Sequence, residues 1–446
     1  MLRALAATLA LAACATTPPE PINAPLSSPA PAPTRETDAG EDVIVLAFSG
    51  GGARAASFAL GVLQGLDGMQ AADGRPLTEH IALITSVSGG SILSAHFGQH
   101  GREGLSTFRA AYLDKQWDVE PNYFAPADWW RAYRGGVNGP RELADWLDRE
   151  IYGGALMPAL DAGPRIVINA TDLFNGAPFA FTPLWFDAIC SDLSRVRVAD
   201  AVAASMAVPL MFRPVLAETY PNACGRAPAW TGPARADRNA NEIVRSAARA
   251  FDNYRNEERQ TYLHLVDGGV TDNFGLASLM IMRRAAGDAF APLTAREAVR
   301  ARRIVFLVVN AERLRPLEWQ HSAQGPGGGE VVYTALDVSV DAAKRGAFDA
   351  FRALLPVWRA ELVAYRCGLS AEQVAALRGH AEGWQCADIS LDADMIAFTD
   401  LDRETYDALT FTPTAVTLSS EAIDALIAGG RAAIERNALA RTLTAQ

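Results

Sequence analysis

Positive charge is in short supply in this chain. Lysine and arginine number 40 against 51 aspartates and glutamates, a formal net charge of −11 over 446 residues. That balance removes the basic surface that leads nucleic-acid binding, so nucleic acid is not an expected partner. It also gives no long-range attraction to an anionic membrane, so any attachment must come from an anchor or an apolar contact. Cysteine is scarce, five residues with no CxxC pair, which argues against a zinc ribbon. No run reaches 18 consecutive apolar residues, so no membrane-spanning helix is expected. Neither a GxGxxG fingerprint nor a P-loop occurs, and the glycines at 325–329 are followed by no Lys-Ser/Thr pair.

What is present begins with a short leader. Met1-Leu2-Arg3 is a basic start, and Ala4 to Ala13 is uncharged and too short to span a bilayer. The segment ends in Leu11-Ala12-Ala13-Cys14, which resembles the lipobox of bacterial lipoproteins. The expectation is a signal peptide over 1–13 and a lipid on Cys14; the rival is an ordinary signal peptide cut elsewhere. Ala15 lacks the acidic retention signal, which by the same resemblance points to the outer membrane of a Gram-negative cell. Residues 14–40 are rich in Pro, Ala, Ser and Thr and read as an extended tether. Half of the residues are hydrophobic, enough for a substantial core. One large catalytic domain is expected over 41–320, with 321–446 its mainly helical continuation. Four cysteines remain in two sequence-local pairs. Of three possible pairings, Cys190 with Cys224 and Cys367 with Cys386 is favoured, against four reduced thiols.

From residue 41 onward, apolar runs of strand length alternate with helical stretches. Val43–Phe48, Ile81–Thr85, Ile166–Asp172, Tyr262–Val266 and Ile304–Asn310 read as strands. Their alternation with helices predicts an α/β fold, three layers around a mostly parallel sheet. The aromatic stretch with Trp117, Tyr123, Phe124, Trp129, Trp130 and Tyr133 reads as core of a helical insertion ahead of a lid or membrane-facing surface.

Three turns carry chemistry. Ser86-Val87-Ser88-Gly89-Gly90 joins a strand to a helix and has the spacing of a nucleophile elbow, in which the places two before and two after the serine must be small. Alone it is weak, because Ser-Gly-Gly turns are common. Gly50, Gly51 and Gly52 follow the first strand and can aim peptide amides at one point, as an oxyanion hole requires; the bland alternative is a phosphate-binding turn. Asp267-Gly268-Gly269 ends a strand, and a half-desolvated carboxylate there could take a proton from Ser88; the bland alternative is a turn-forming Asp-Gly. In an open parallel sheet all three would be presented at the carboxyl edge. Met206, Val208, Met211 and Phe212 are expected to line an acyl groove. A metal cluster of Asp267, Asp272 and Asn273 is a weaker thought.

Together, Gly50-Gly51-Gly52-Ala53-Arg54, Ser86–Gly90 and Asp267-Gly268-Gly269 resemble the patatin-like phospholipase family. Asn169-Ala170-Thr171-Asp172, Ala203–Pro209 and Phe212-Arg213-Pro214-Val215 fit as further blocks, as does Thr412-Pro413-Thr414. The resemblance implies Ser88 as nucleophile, Asp267 as its partner in a dyad, and amides of the glycine turn as oxyanion hole. Arg54, Gly90, Gly268 and Gly269 are implied as supporting residues. It also implies a lipid or other acyl ester as substrate, no cofactor, no metal and no catalytic histidine. Of six histidines, only His321 and His380 follow Asp267, and neither sits at a strand end. The rivals are a non-catalytic lipid- or partner-binding envelope protein and a nucleotide-binding protein.

Overall fold

The computed structural model of the protein describes residues 19–27, 38–115, 117, 136–139, 141–225, 228–314 and 318–444. Cys14 and its leader, and Tyr123, Phe124, Trp129, Trp130 and Tyr133, lie outside them. The apolar runs are strands: β1 (Asp42–Phe48), β2 (Ile81–Val87), β3 (Arg165–Asp172), β6 (Tyr262–Asp267) and β7 (Arg303–Asn310). Three strands were not expected: β4 (Ala177–Ala180), β5 (Val215–Glu218) and β8 (Ser390–Ala397). The sheet order is β5-β6-β3-β2-β1-β7-β8, with β4 also on β3. From β3 to β8 all neighbours are parallel, whereas β4, β5 and β6 pair antiparallel. Every residue of β1 and β2 is buried, so helices cover both sheet faces; that is why Val43–Phe48 and Ile81–Ile84 run apolar without alternation.

The helices used below are α1 (Gly52–Gly68), α2 (Gly89–His100), α3 (Val198–Ser205), α4 (Leu276–Ala286), α5 (Gly328–Cys367) and α6 (Ser420–Arg436). α1 and α6 cross backbone to backbone. A Cβ on Gly61 would run into the Ile427 carbonyl oxygen, and one on Gly430 into that of Phe58. The residues after 320 are therefore not purely a helical extension. β8 adds a parallel strand beside β7, and its two aspartates, Asp392 and Asp394, broke the apolar pattern that would have announced it. Cys190 is bonded to Cys224 and Cys367 to Cys386, with Cα separations of 5.4 and 4.9 Å. The second bond fastens the end of α5 to the approach of β8. Trp117 is buried and stacks on Phe212 at 5.5 Å. No described helix is long and apolar enough to cross a membrane.

Candidate active site

β2 and α2 are separated by one residue, Ser88, held at φ 52° and ψ −123°. A serine at positive φ is strained, by about 1–3 kcal/mol, and persists only where its surroundings fix it. Here the Ser88 amide donates to Ser205 Oγ at 2.8 Å. The turn is also walled in. A Cβ on Gly90 would lie 2.7 Å from Phe48 Cβ and 2.8 Å from the Ser49 carbonyl oxygen, so only glycine fits there. Ser86, which replaces the usual first glycine of such an elbow, lies within β2 without a positive φ. Its hydroxyl bonds Ser94 Oγ at 2.6 Å, so serine costs the turn nothing.

The glycine turn lies directly against the elbow. A Cβ on Gly50 would sit 3.1 Å from Ser88 Cβ, and one on Gly89 would collide with the Gly52 peptide. Gly51 and Gly52 take φ of 143° and 60°, which an L side chain resists. The three expected amide donors are reduced to two. Gly50 N–H is engaged by Asn273, to Oδ1 at 3.1 Å and to the carbonyl oxygen at 3.3 Å. The amides of Gly51 and Gly52 have no hydrogen-bond partner among the described residues. Arg54 is buried and serves as a tie. Its Nε donates to the Ala311 carbonyl oxygen at 2.8 Å, and its Nη1 to the Thr412 carbonyl oxygen at 3.0 Å and to Thr414 Oγ1 at 2.9 Å. Alongside, Ala53 N–H donates to the Ala415 carbonyl oxygen at 2.8 Å.

Asp267 arrives by a different route from the one expected. β6 is not parallel to β2; it runs back alongside the overhanging end of β3, pairing Asp267 with Ala170. Because Val87 pairs with Asn169, Ala170 is level with Ser88. The returning strand thus stops beside the serine. The Ser88 side chain is near enough to the Asp267 carboxyl to lower its pKa, and Gly269 N–H donates to Asp267 Oδ1 at 2.7 Å. Burial raises the carboxyl's proton affinity, and the Gly269 hydrogen bond and the nearby Ser88 hydroxyl offset it in part, for a pKa of about 6. Gly268 is packed so that a Cβ would lie 2.5 Å from the Asn169 carbonyl oxygen.

The other acidic and histidine side chains are employed elsewhere. Asp272 accepts from Phe274 N–H at 3.0 Å and Ala277 N–H at 2.5 Å at the start of α4, and Asn273 holds Gly50. Among the described residues, no group of three or more His, Cys, Asp or Glu side chains could hold a metal. No histidine hydrogen-bonds Ser88 or Asp267 among the described residues. His264 is exposed on β6, and His96, packed in α2, has its pKa lowered to about 4 by burial and by His100. Of the expected groove residues, Met206 and Phe212 are buried in the core, and Val208 and Met211 are half-buried. Exposed apolar side chains instead come from turns around the site: Leu173, Phe174, Leu210 and Val270.

Residues 46–280 match the family model for patatin-like phospholipases. The chain belongs to the patatin-like phospholipase family. No curated protein matches the chain. Among solved structures, human GIVD cytosolic phospholipase A2 is 12% identical with a TM-score of 0.35, covering 65% of this chain and 51% of that one. VipD from Legionella pneumophila is 13% identical with a TM-score of 0.32, covering 91% and 67%. The chain thus spans about half the length of the human protein.

Proposed function

We propose that this patatin-like phospholipase hydrolyses carboxylic esters of lipids, as a phospholipase A, lysophospholipase or lipase, through an acyl-enzyme on Ser88. The observation that carries the reading is the register that brings buried Asp267 level with strained Ser88, the carboxyl's pKa of about 6 suiting a base at neutral pH. Asp267 takes the hydroxyl proton as Ser88 Oγ attacks the ester carbonyl. The Gly51 and Gly52 amides hold the oxyanion, one such donor being worth ~3 kcal/mol. Collapse breaks the ester bond, and Asp267 returns its proton to the leaving alcohol. Water then attacks the acyl-enzyme, losing a proton to Asp267, and the acyl–Oγ bond breaks as Asp267 returns that proton to Ser88 Oγ and the fatty acid leaves.

The test is labelling by a fluorophosphonate probe, followed by a panel of lipid esters. Wild type should label and turn over, and Ser88→Ala should do neither. Labelling or turnover in Ser88→Ala would point to a different nucleophile, and a wild type that neither labels nor turns over would leave a non-catalytic lipid-binding protein as the better reading. The Leu11-Ala12-Ala13-Cys14 sequence supports a second part of the proposal, a lipid anchor on Cys14 in the outer membrane of a Gram-negative cell. Incorporation of labelled palmitate by wild type but not by Cys14→Ser checks it; equal incorporation refutes it.

A further inference from the structure

The block Ala203–Pro209 supplies no reacting group, yet it touches both halves of the dyad. From the last turn of α3, Ser205 Oγ accepts the Ser88 N–H at 2.8 Å. Two residues on, the Ala207 carbonyl oxygen accepts the Asp267 N–H at 2.9 Å. One short stretch therefore grips the backbone of the nucleophile and of the base. We propose that Ser205 is a positioning residue for the nucleophile, and that Ser205–Ala207 is a clamp setting the Ser88 hydroxyl in register with the Asp267 carboxylate. The proposal rests on the dyad reading above.

Hydroxyl proton counting supports one orientation for Ser205. It has one proton, and the Asn169 carbonyl oxygen takes it at 2.6 Å. Its lone pairs are then free for the Ser88 N–H and for Ser91 Oγ at 3.0 Å, whose one proton is shared with Ser86 Oγ at 3.1 Å. Behind them, Ser86 and Ser94 share a 2.6 Å bond, and Ser94 donates to the Ser91 carbonyl oxygen at 3.2 Å. All four hydroxyl-bearing residues are fully buried. Water cannot replace a lost partner there without entering the core. Ser88 is the one member of the group at positive φ, so it has somewhere to relax once its N–H is released. Relaxation would swing the hydroxyl away from Asp267 and from the Gly51 and Gly52 amides. That is a fault in geometry, and it should appear in kcat rather than KM.

The experiment compares purified full-length wild type, Ser205→Ala, Ser205→Cys, Ser94→Ala and Ser88→Ala on a soluble nitrophenyl ester, with circular dichroism and Tm for each. Cysteine keeps the side-chain shape but is a weak acceptor, so it decides the matter if the alanine variant does not fold. The expected order of kcat is wild type, then Ser205→Cys, then Ser205→Ala, the last lower by about ten- to a hundredfold. KM should stay within about threefold, and probe labelling should slow in proportion to kcat. Ser94→Ala, in the same buried network but out of reach of Ser88, should lower Tm and leave kcat unchanged. A folded Ser205→Cys or Ser205→Ala with wild-type kcat overturns the clamp, and so does a loss of kcat matched by Ser94→Ala. Turnover in Ser88→Ala would instead overturn the dyad itself, so the two failures are told apart.

Discussion

The parallel and antiparallel parts of the sheet contribute differently to the site. β1 and β2 are neighbours, each feeding a helix through a tight turn, and they bring the glycine turn and Ser88 to one edge side by side. β6 comes from the other direction and carries Asp267 to the level of the serine. Had β6 been parallel, its final residue would have pointed past the edge, as the end of β3 does. A parallel sheet presents turns in a row, and a returning strand can reach back between them. Reactive geometry here needs both.

The largest expected effects fall at the meeting point. Ser88→Ala should lower kcat by about 10⁴–10⁶, and Asp267→Asn by about 10³–10⁴, measured as ester hydrolysis by folded protein. A loss from Asp267→Asn of less than tenfold would break the comparison, because the antiparallel strand would then be mere scaffolding. Gly52→Ala should be next. Its φ of 60° disfavours a side chain, and the new methyl would meet the Ala415 carbonyl oxygen. Loss of one amide donor is worth about 10²–10³ in kcat, and Tm should fall as well.

A pH series sharpens the contrast. With Asp267 at about 6, kcat/KM should fall about tenfold per unit below that value and level off above it. Stability should move the other way. A carboxyl raised from 3.8 to about 6 contributes most to stability below its unfolded pKa, and that contribution is lost as pH rises through 6. Asp267→Asn should therefore be more stable than wild type at pH 8 by about 1–3 kcal/mol, and lose that advantage near pH 4, by denaturant titration. The smallest effect on activity is expected at the far edge. Cys367→Ser with Cys386→Ser should cost about 2–4 kcal/mol of stability and leave kcat unchanged, since β8 is separated from Ser88 by β7 and β1.

How much of this could be read from the sequence follows the same division. The parallel strands β1, β2, β3 and β7 were legible because burial gives each a run of consecutive apolar residues. β4 and β5 have four residues each, too few to establish a period, and β8 carries acidic residues on a partly exposed strand. The direction of β6 left no trace at all, since no residue type encodes which way a strand runs. Ser88, Asp267 and the glycine turn were found from motifs whose chemistry is local. That Asn273 would engage Gly50, 223 residues away, was not, because such a contact exists only after folding. Ser205 was visible as part of a conspicuous block, but its partner is a backbone amide, which has no letter in a sequence.

The tie between the glycine turn and residues 412–415 has a bearing on how the protein is made. Ala53 and Arg54 lie next to the amide pair, while the Ala415 and Thr412 carbonyls that help hold them come more than 350 residues later. A nascent chain still missing that stretch lacks the support for its amide pair. The geometry of the glycine turn is thereby deferred until residues 412–415 have been made, and a product terminated before them would carry Ser88 without that support.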